Sequence, residues 1–245
     1  MKKIVLLWAI GIALFSSATA QEKDQVIKKV WEAVGGKATF EKSRYIQFTF
    51  ASERNGQVGN GRNHIWDRYT GDYRFESKAA NGKTTTVLFN VNTQKGKAFE
   101  DGILQPDTTS AKLIKRAYGA FINDTYWLMV PLKLQDPGVN TALEASETID
   151  GVKCEVIHLN FDKVGLTPGD QYWLYVNALT GEITRWKFLL QGQKNTSVFE
   201  WAPYQDLGNG LKLSLKKTNL ESKSAIVFPG TKVLPSVTKD IFIKP

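Results

Sequence analysis

Two histidines, a single cysteine and a scatter of carboxylates are the side chains through which this sequence could do acid–base or covalent chemistry. Cys154 and His158 fall on one face of a strand-like run from Lys153 to Phe161, and a thiol beside an imidazole is the pairing of a cysteine nucleophile. On a strand, however, residues i and i+4 stand about 13 Å apart at ~3.3 Å per residue, beyond hydrogen-bond reach. Cys154 therefore reads as a buried structural residue. The opposite face of that run carries Ile157, Leu159 and Phe161, so the strand is expected to be covered on both sides. Catalytic motifs with a defined mechanism are missing: there is no G-x-S-x-G elbow, H-E-x-x-H, Gly-rich phosphate loop or EF-hand loop. One cysteine excludes an internal disulfide, and no Cys/His cluster offers a zinc site. Carboxylate pairs such as Glu100/Asp101 sit beside turns, where charge is expected. A glycosidase needs only two well-placed carboxylates, and that reading stays open. The expectation is a protein that is not an enzyme, with no metal and no cofactor.

The aromatic residues say more. Trp66, Tyr69, Tyr73, Phe75, Tyr126, Trp127, Tyr172, Trp173, Tyr175, Trp186, Phe188, Phe199 and Trp201 touch nearly every element. Such rings combine large apolar area with one polar edge, which suits walls that hold lipid or sugar, and equally suits a packed core. Alternation in Gln171 to Asn177 sets Tyr172, Leu174 and Val176 against Trp173 and Tyr175. Trp186, Phe188 and Leu190 share a face that Arg185 and Lys187 do not. The rings cannot all face one core, and that surplus motivates a cavity.

The elements that must position these rings are mostly strands. Asp24 to Gly36 has apolar residues at 27, 30, 31 and 34, the repeat of a short helix stopped by Gly35-Gly36. Period-two segments and Asn/Gly turns then run to Val91, as in an antiparallel meander. A second helix is expected over 108–122, with Leu113, Ile114, Ala117, Tyr118 and Phe121 as its stripe, followed by the separate apolar run Tyr126 to Val130. Strands resume near Ala142 and cover Lys153 to Phe161, Gln171 to Asn177, Ile183 to Leu190, Ser197 to Trp201, Leu211 to Lys217 and Val237 to Phe242. A sheet this wide must curl, because strand twist accumulates. The fold class expected is α+β: a large curved antiparallel sheet with a few helices on its concave side.

At the N-terminus, Lys2 and Lys3 precede an uncharged, mostly apolar run from Ile4 to Phe15, and Ala18-Thr19-Ala20 has the small-x-small form of a cleavage site. A dozen apolar residues are too few to span ~30 Å of hydrocarbon. Residues 1–20 are read as a signal peptide cut after Ala20, and 21–245 as one domain of a periplasmic or secreted protein. Loss of Lys2 and Lys3 takes the net charge from +8 to +6. Outside the cytoplasm, a basic surface meets anionic lipid or polysaccharide rather than nucleic acid, although lysines on exposed strands also guard sheet edges.

The strings Tyr45 to Phe50, Gly59 to Trp66 and Val87 to Val91, followed by a mid-chain helix and a return to strands, resemble the lipoprotein-localisation superfamily of LolA/LolB type. Trp31 to Gly36, Trp66 to Arg74, Phe121 to Trp127, Asp136 to Val139 and Val164 to Asp170 are similar to a group of secreted proteins within it. The resemblance implies an unclosed half-barrel of about eleven strands, lidded by helices, with a hydrophobic cavity for acyl chains. In the carriers an Arg-Pro pair follows the strand tryptophan and its Arg takes part in lid control. Here Trp66 is followed by Asp67-Arg68-Tyr69-Thr70, with Arg68 one place early and no proline. The expected ligand is hydrophobic or amphipathic, a lipid or lipidated protein, with peripheral membrane contact and no nucleic acid. The expected walls are Trp66, Phe89, Trp127, Met129, Trp173 and Trp186, with Arg68 as gate or headgroup contact. The alternatives are an interaction module whose hollow is filled by its own helix, and a glycan-active hydrolase.

Overall fold

The computed structural model describes residues 21–162, 167 and 169–245. Residues 1–20, where the signal peptide is expected, and most of the Val164 to Asp170 string lie outside the described residues. The chain opens with α1 (residues 21–33) and α2 (Lys37–Lys42). Strands β1 (Tyr45–Arg54), β2 (Gln57–Val58), β3 (Arg62–Asp67), β4 (Asp72–Lys78), β5 (Thr84–Asn90), β6 (Gly96–Glu100) and β7 (Ile103–Leu104) follow. Next come the long α3 (Asp107–Met129), β8 (Val139–Ile149), β9 (Val152–Phe161), β10 (Gln171–Asn177), β11 (Ile183–Leu189) and β12 (Ser197–Trp201). The chain finishes with β13 (Gln205–Asp206), β14 (Lys212–Leu213), β15 (Lys216–Asn219), β16 (Ala225–Val227) and β17 (Lys232–Leu234).

Fifteen strands form one antiparallel sheet in the order β7-β6-β5-β4-β3-β1-β16-β15-β12-β11-β10-β9-β8, with β2 and β17 also pairing β1. The two ends, β7 and β8, do not meet, so the sheet is unclosed. This is the α+β architecture expected, with more strands than eleven because two- and three-residue segments join the ladder. The middle of the sheet is made late: β16 and β15, from the end of the chain, stitch the β1–β7 half to the β8–β12 half.

The helices cover one face of this sheet, called here the inner face. From α1, Val26, Ile27 and Val30 pack with Ile157, Leu159, Leu174, Val176 and Trp186. The helix ends where its glycines predict: Gly35 and Gly36 have φ of 100° and 88°, and the Gly36 N–H bonds to the Trp31 carbonyl at 2.7 Å. From α3, Ile114 and Ala117 pack over Tyr73, Phe75, Val87 and Phe89, and about three turns later Leu128 and Met129 pack with Ile46, Phe48 and Phe228. One helix thus crosses both halves of the sheet.

That crossing corrects the expected boundary at residue 122. Asn123-Asp124-Thr125 has the composition of a helix stop, yet the helix runs on to Met129. Thr125 Oγ1 donates back to the Phe121 carbonyl at 2.6 Å, a bond that fits within the helix, and Asp124 is committed to Arg62 on the sheet, so neither side chain draws the backbone into a non-helical turn. Two strand expectations also change. Leu211 to Lys217 splits at Ser214, whose carbonyl accepts from Lys217 Nζ at 2.5 Å. The strand expected over Val237 to Phe242 is instead a short 3₁₀ turn, Lys239–Phe242, after Pro235. Arg74 Nη1 holds that turn by donating to the Ile241 and Lys244 carbonyls.

Lys217 is fully buried on the inner side, with its ammonium position 4.6 Å from both the Trp201 and Phe228 ring centres. Burial pushes its pKa well below the usual lysine range, and no carboxylate offsets this. The unfolded chain therefore binds a proton that the fold does not, so this residue weakens stability below its ordinary pKa. Lys217→Met keeps the stem and removes the amine; it should raise Tm at pH 7, by more than at pH 10. Thermal unfolding at the two pH values measures this, and an unchanged or lower Tm at pH 7 contradicts it.

Two glycines give a paired prediction. Gly181, at φ 75° in the β10–β11 turn, lies against α1, and a Cβ there would overlap the Lys29 carbonyl oxygen. Gly119, inside α3, has open space where its Cβ would be. Gly181→Ala should cost about 1–3 kcal/mol of stability. Gly119→Ala should gain up to about 1 kcal/mol from helix propensity. Chemical denaturation of both variants checks the pair.

Candidate functional site

Across the sheet, α3 is held by a polar node buried among rings. Asp124 has no solvent exposure, and both its oxygens are taken by Arg62 of β3: Nε to Oδ2 at 2.7 Å and Nη2 to Oδ1 at 2.6 Å. His64, two residues along β3 and equally buried, places Nε2 at 3.0 Å from Asp124 Oδ2, an off-axis contact rather than a linear hydrogen bond. Its Nδ1 shares a 2.8 Å hydrogen bond with the Tyr73 hydroxyl of β4. Phe48 stacks on the imidazole at 4.4 Å, and Phe75 meets it edge-on. The β3 alternation puts Arg62, His64 and Trp66 on the inner face, which is why one acid on the helix can reach two of them.

The electrostatics follow from burial. Desolvation is the largest influence on His64 and holds its pKa below the ordinary histidine value, with the nearby Arg62 charge acting the same way and Asp124 opposing. Desolvation would raise the Asp124 carboxyl, but His64 and Arg62 together outweigh it and hold it below the ordinary value. An Asp–His–Tyr chain resembles a catalytic relay in composition. Its members here are enclosed by Phe48, Phe75 and the helix, and neither His64 nor Asp124 lines any groove described below. The node is a fastener.

The open feature lies farther along α3. A groove of about 630 Å³ runs between the second half of α3 and strands β8 to β11. Its walls are Tyr126, Trp127, Phe161, Tyr172, Trp186, Phe188 and Leu190, and its rim carries Asn123, Lys133, Asp136, Asp170, Gln191 and Gln193. The rings are braced against one another: Trp127 lies 4.7 Å from Trp186 and meets Phe188 and Phe199 edge-on, and Tyr126 meets Phe161 edge-on. Behind these walls two donors are sealed from solvent without a partner among the described residues, Trp186 Nε1 and the Tyr126 hydroxyl. Burial pushes the Tyr126 hydroxyl well above the ordinary tyrosine pKa, so it stays a neutral donor. Asp170 closes one end: Tyr172 Oη donates to Oδ2 at 2.9 Å, Thr167 Oγ1 also donates to Oδ2, and the Gln191 N–H donates to Oδ1 at 2.7 Å.

Of the seven expected site residues, Trp127 and Trp186 meet in this groove. Phe89 is buried under the first half of α3 beside Tyr73, and Met129 is core between α3 and β1. Trp66 packs edge-on to Phe121 at 5.2 Å, between those two clusters. Trp173 faces the outer side of β10, stacked on His158 at 5.0 Å with Lys187 over its other face and Glu144 accepting from its Nε1. Arg68 donates to the Phe40 and Ser43 carbonyls and lies 3.6 Å over the Phe40 ring, so it fastens α2 rather than reaching the groove. Cys154 and His158 are separate, as strand spacing requires: His158 bonds Gln171, while Cys154 sits near Thr184. Sequence reasoning missed Asp124 and Arg62. The available signal was an acid at position i+3 from Phe121 and i−4 from Leu128, inside an apolar helical stripe.

Among the described residues, no three His, Cys, Asp or Glu side chains gather as a metal site requires, and no helix is long and apolar enough to cross a membrane.

No family model matches the chain, and no curated protein matches it in sequence. Solved structures do match in fold. A DUF1329 family protein from Desulfovibrio piger superposes with a TM-score of 0.50 at 10% identity, covering 89% of this chain and 96% of that one. A LolA superfamily protein from Nitrosomonas europaea gives 0.51 at 14% identity, with the same shares covered. The resemblance read from the sequence therefore holds at the level of the fold over most of the chain.

The buried node predicts acid sensitivity. His64 is neutral in the fold, while the unfolded chain protonates it near the ordinary pKa of ~6.5, so stability falls as pH drops below that value. Asp124, with its pKa held down, adds a further loss only as pH falls through the carboxylate range. Tm of the wild type should fall between pH 7.5 and 5.5. His64→Gln should start lower and stay flat across that interval, and an equal slope in both proteins would rule the node out as its source.

Proposed function

We propose that this chain is an exported, non-catalytic binding protein, a single domain over 21–245 behind a leader ending at Ala20, acting in the periplasm or outside the cell. Its groove holds the apolar tail of a lipid or a lipidated protein. The observation that carries this reading is the aromatic groove itself: seven large side chains wall an opening of about 630 Å³ beside α3. Single-chain amphiphiles fit such a volume, and pockets of this size, apolar with a few convergent donors, are the usual form of small-ligand sites. An acyl chain burying ~300 Å² gains several kcal/mol at about 25 cal/mol per Å², before ordering costs. The LolA-like architecture is in keeping with the same reading.

A hydrolase reading has less to draw on. The carboxylates of the groove are Asp136 and Asp170, and both oxygens of Asp170 are engaged by Tyr172, Thr167 and Gln191. The interaction-module reading rests on the way α3 sends Leu128 and Met129 deep into the inner face, filling the middle of the sheet with the chain's own side chains. It differs from the lipid reading in leaving the groove without a bound molecule.

Native mass spectrometry of protein purified from its own host, with lipids extracted and identified, tests the proposal. A bound acyl lipid is expected. In titrations with dodecyl maltoside, Trp127→Ala should weaken binding about tenfold or more, a loss of about 1.4 kcal/mol. Leu190→Asp, at the half-buried mouth, should weaken it similarly while sparing the core. Protein that never carries lipid, with both variants binding as the wild type does, contradicts the proposal.

A further inference from the structure

A second groove, of about 640 Å³, flanks the preceding turns of α3 where they pass over β3 to β6. We propose that it binds an anionic headgroup of the phosphate class, and that the ligand of the protein is one amphiphile with its tail in the aromatic groove and its head here. This rests on the acyl-binding reading above and adds the chemistry of the head.

The charge balance is the first ground. Arg62, Lys78, Lys83 and Arg116 line this groove against a single carboxylate, Glu100. Arg62 is committed to Asp124 and Lys83 to Glu100 at 2.8 Å. Lys78 and Arg116 enter no ion pair among the described residues. One ends β4 and the other lies on α3, so sheet and helix each bring an exposed cation to the groove. A neutral head gains nothing from their charge, whereas a phosphate offers acceptor oxygens to it.

Continuity with the aromatic groove is the second ground. Asn123 lines both grooves, so they adjoin at one residue of α3, polar beside apolar. The helix keeps its flank low there with Gly119 and Ala120. A side chain at 119 would meet nothing within 4 Å, so the glycine is not needed for packing and its effect is to leave the groove open.

Isothermal titration calorimetry on the whole protein tests this with three probes: dodecyl phosphate, dodecyl maltoside (both below micellar concentration) and glycerol 1-phosphate, which has the head without the chain. Dodecyl phosphate should bind about tenfold or more tightly than the maltoside. That preference should shrink as salt rises from about 0.05 to 0.5 M, because exposed charges are screened. The double variant Lys78→Glu, Arg116→Glu should abolish the preference and leave maltoside affinity unchanged. Gly119→Trp, which fills the groove without altering charge, should do the same. Equal affinity for the two amphiphiles in the wild type overturns the headgroup site while the acyl groove stands. Binding of neither amphiphile overturns both readings. Glycerol 1-phosphate binding as tightly as dodecyl phosphate makes the groove a free-phosphate site and overturns the joined ligand.

Discussion

The arrangement of this protein depends on one buried carboxylate. Asp124 enters an apolar interface from the middle of a 23-residue helix and finds Arg62 and His64 on the strand beneath. An unpaired carboxylate there would be prohibitively desolvated, so the helix is stable only in the register that delivers it to those partners. A hydrophobic stripe alone tolerates sliding by a turn. The paired acid does not, and the position of every other α3 side chain over the sheet follows from it.

From that fixed point the helix has two different flanks. Toward its start, Ile114 and Ala117 seal against β4 to β6, and the turns that follow leave a shallow groove edged by lysine and arginine. Toward its end, Leu128 and Met129 turn down into the core, while Tyr126 and Trp127 turn toward β9 to β12. Those large rings brace one another and hold the helix off the sheet at its edge. The opening therefore follows from packing bulky side chains at one end of a helix whose middle is pinned. The late strands β15 and β16 join the two halves of the sheet that the helix crosses.

Much of the fold was legible because strand alternation and glycine turns are local signals. The hairpin at Ala178 to Gly181 and the stop of α1 at Gly35-Gly36 need no tertiary information. The end of α3 was not legible, since Asn-Asp-Thr favours a stop in isolation and only its partners on β3 override that preference. The site was legible in part for the same kind of reason. Alternation correctly opposes Trp173 to Tyr172, yet it cannot say which face the helices cover, so Trp173 and Trp186 look alike until the sheet is assembled. Trp66, Phe89 and Met129 lie away from the groove because the first half and the middle of α3 press directly upon them, and Arg68 does because α2 offers it two carbonyls.

The central claim is that the pinned helix leaves a greasy channel at one end, on the inner face of the sheet. Paramagnetic broadening by a spin-labelled fatty acid, read on the tryptophan indole N–H signals, addresses this directly. The account predicts that the Trp127 and Trp186 signals broaden first, while that of Trp173, on the outer face, keeps its intensity. Broadening that is uniform, or strongest at Trp173, would contradict it.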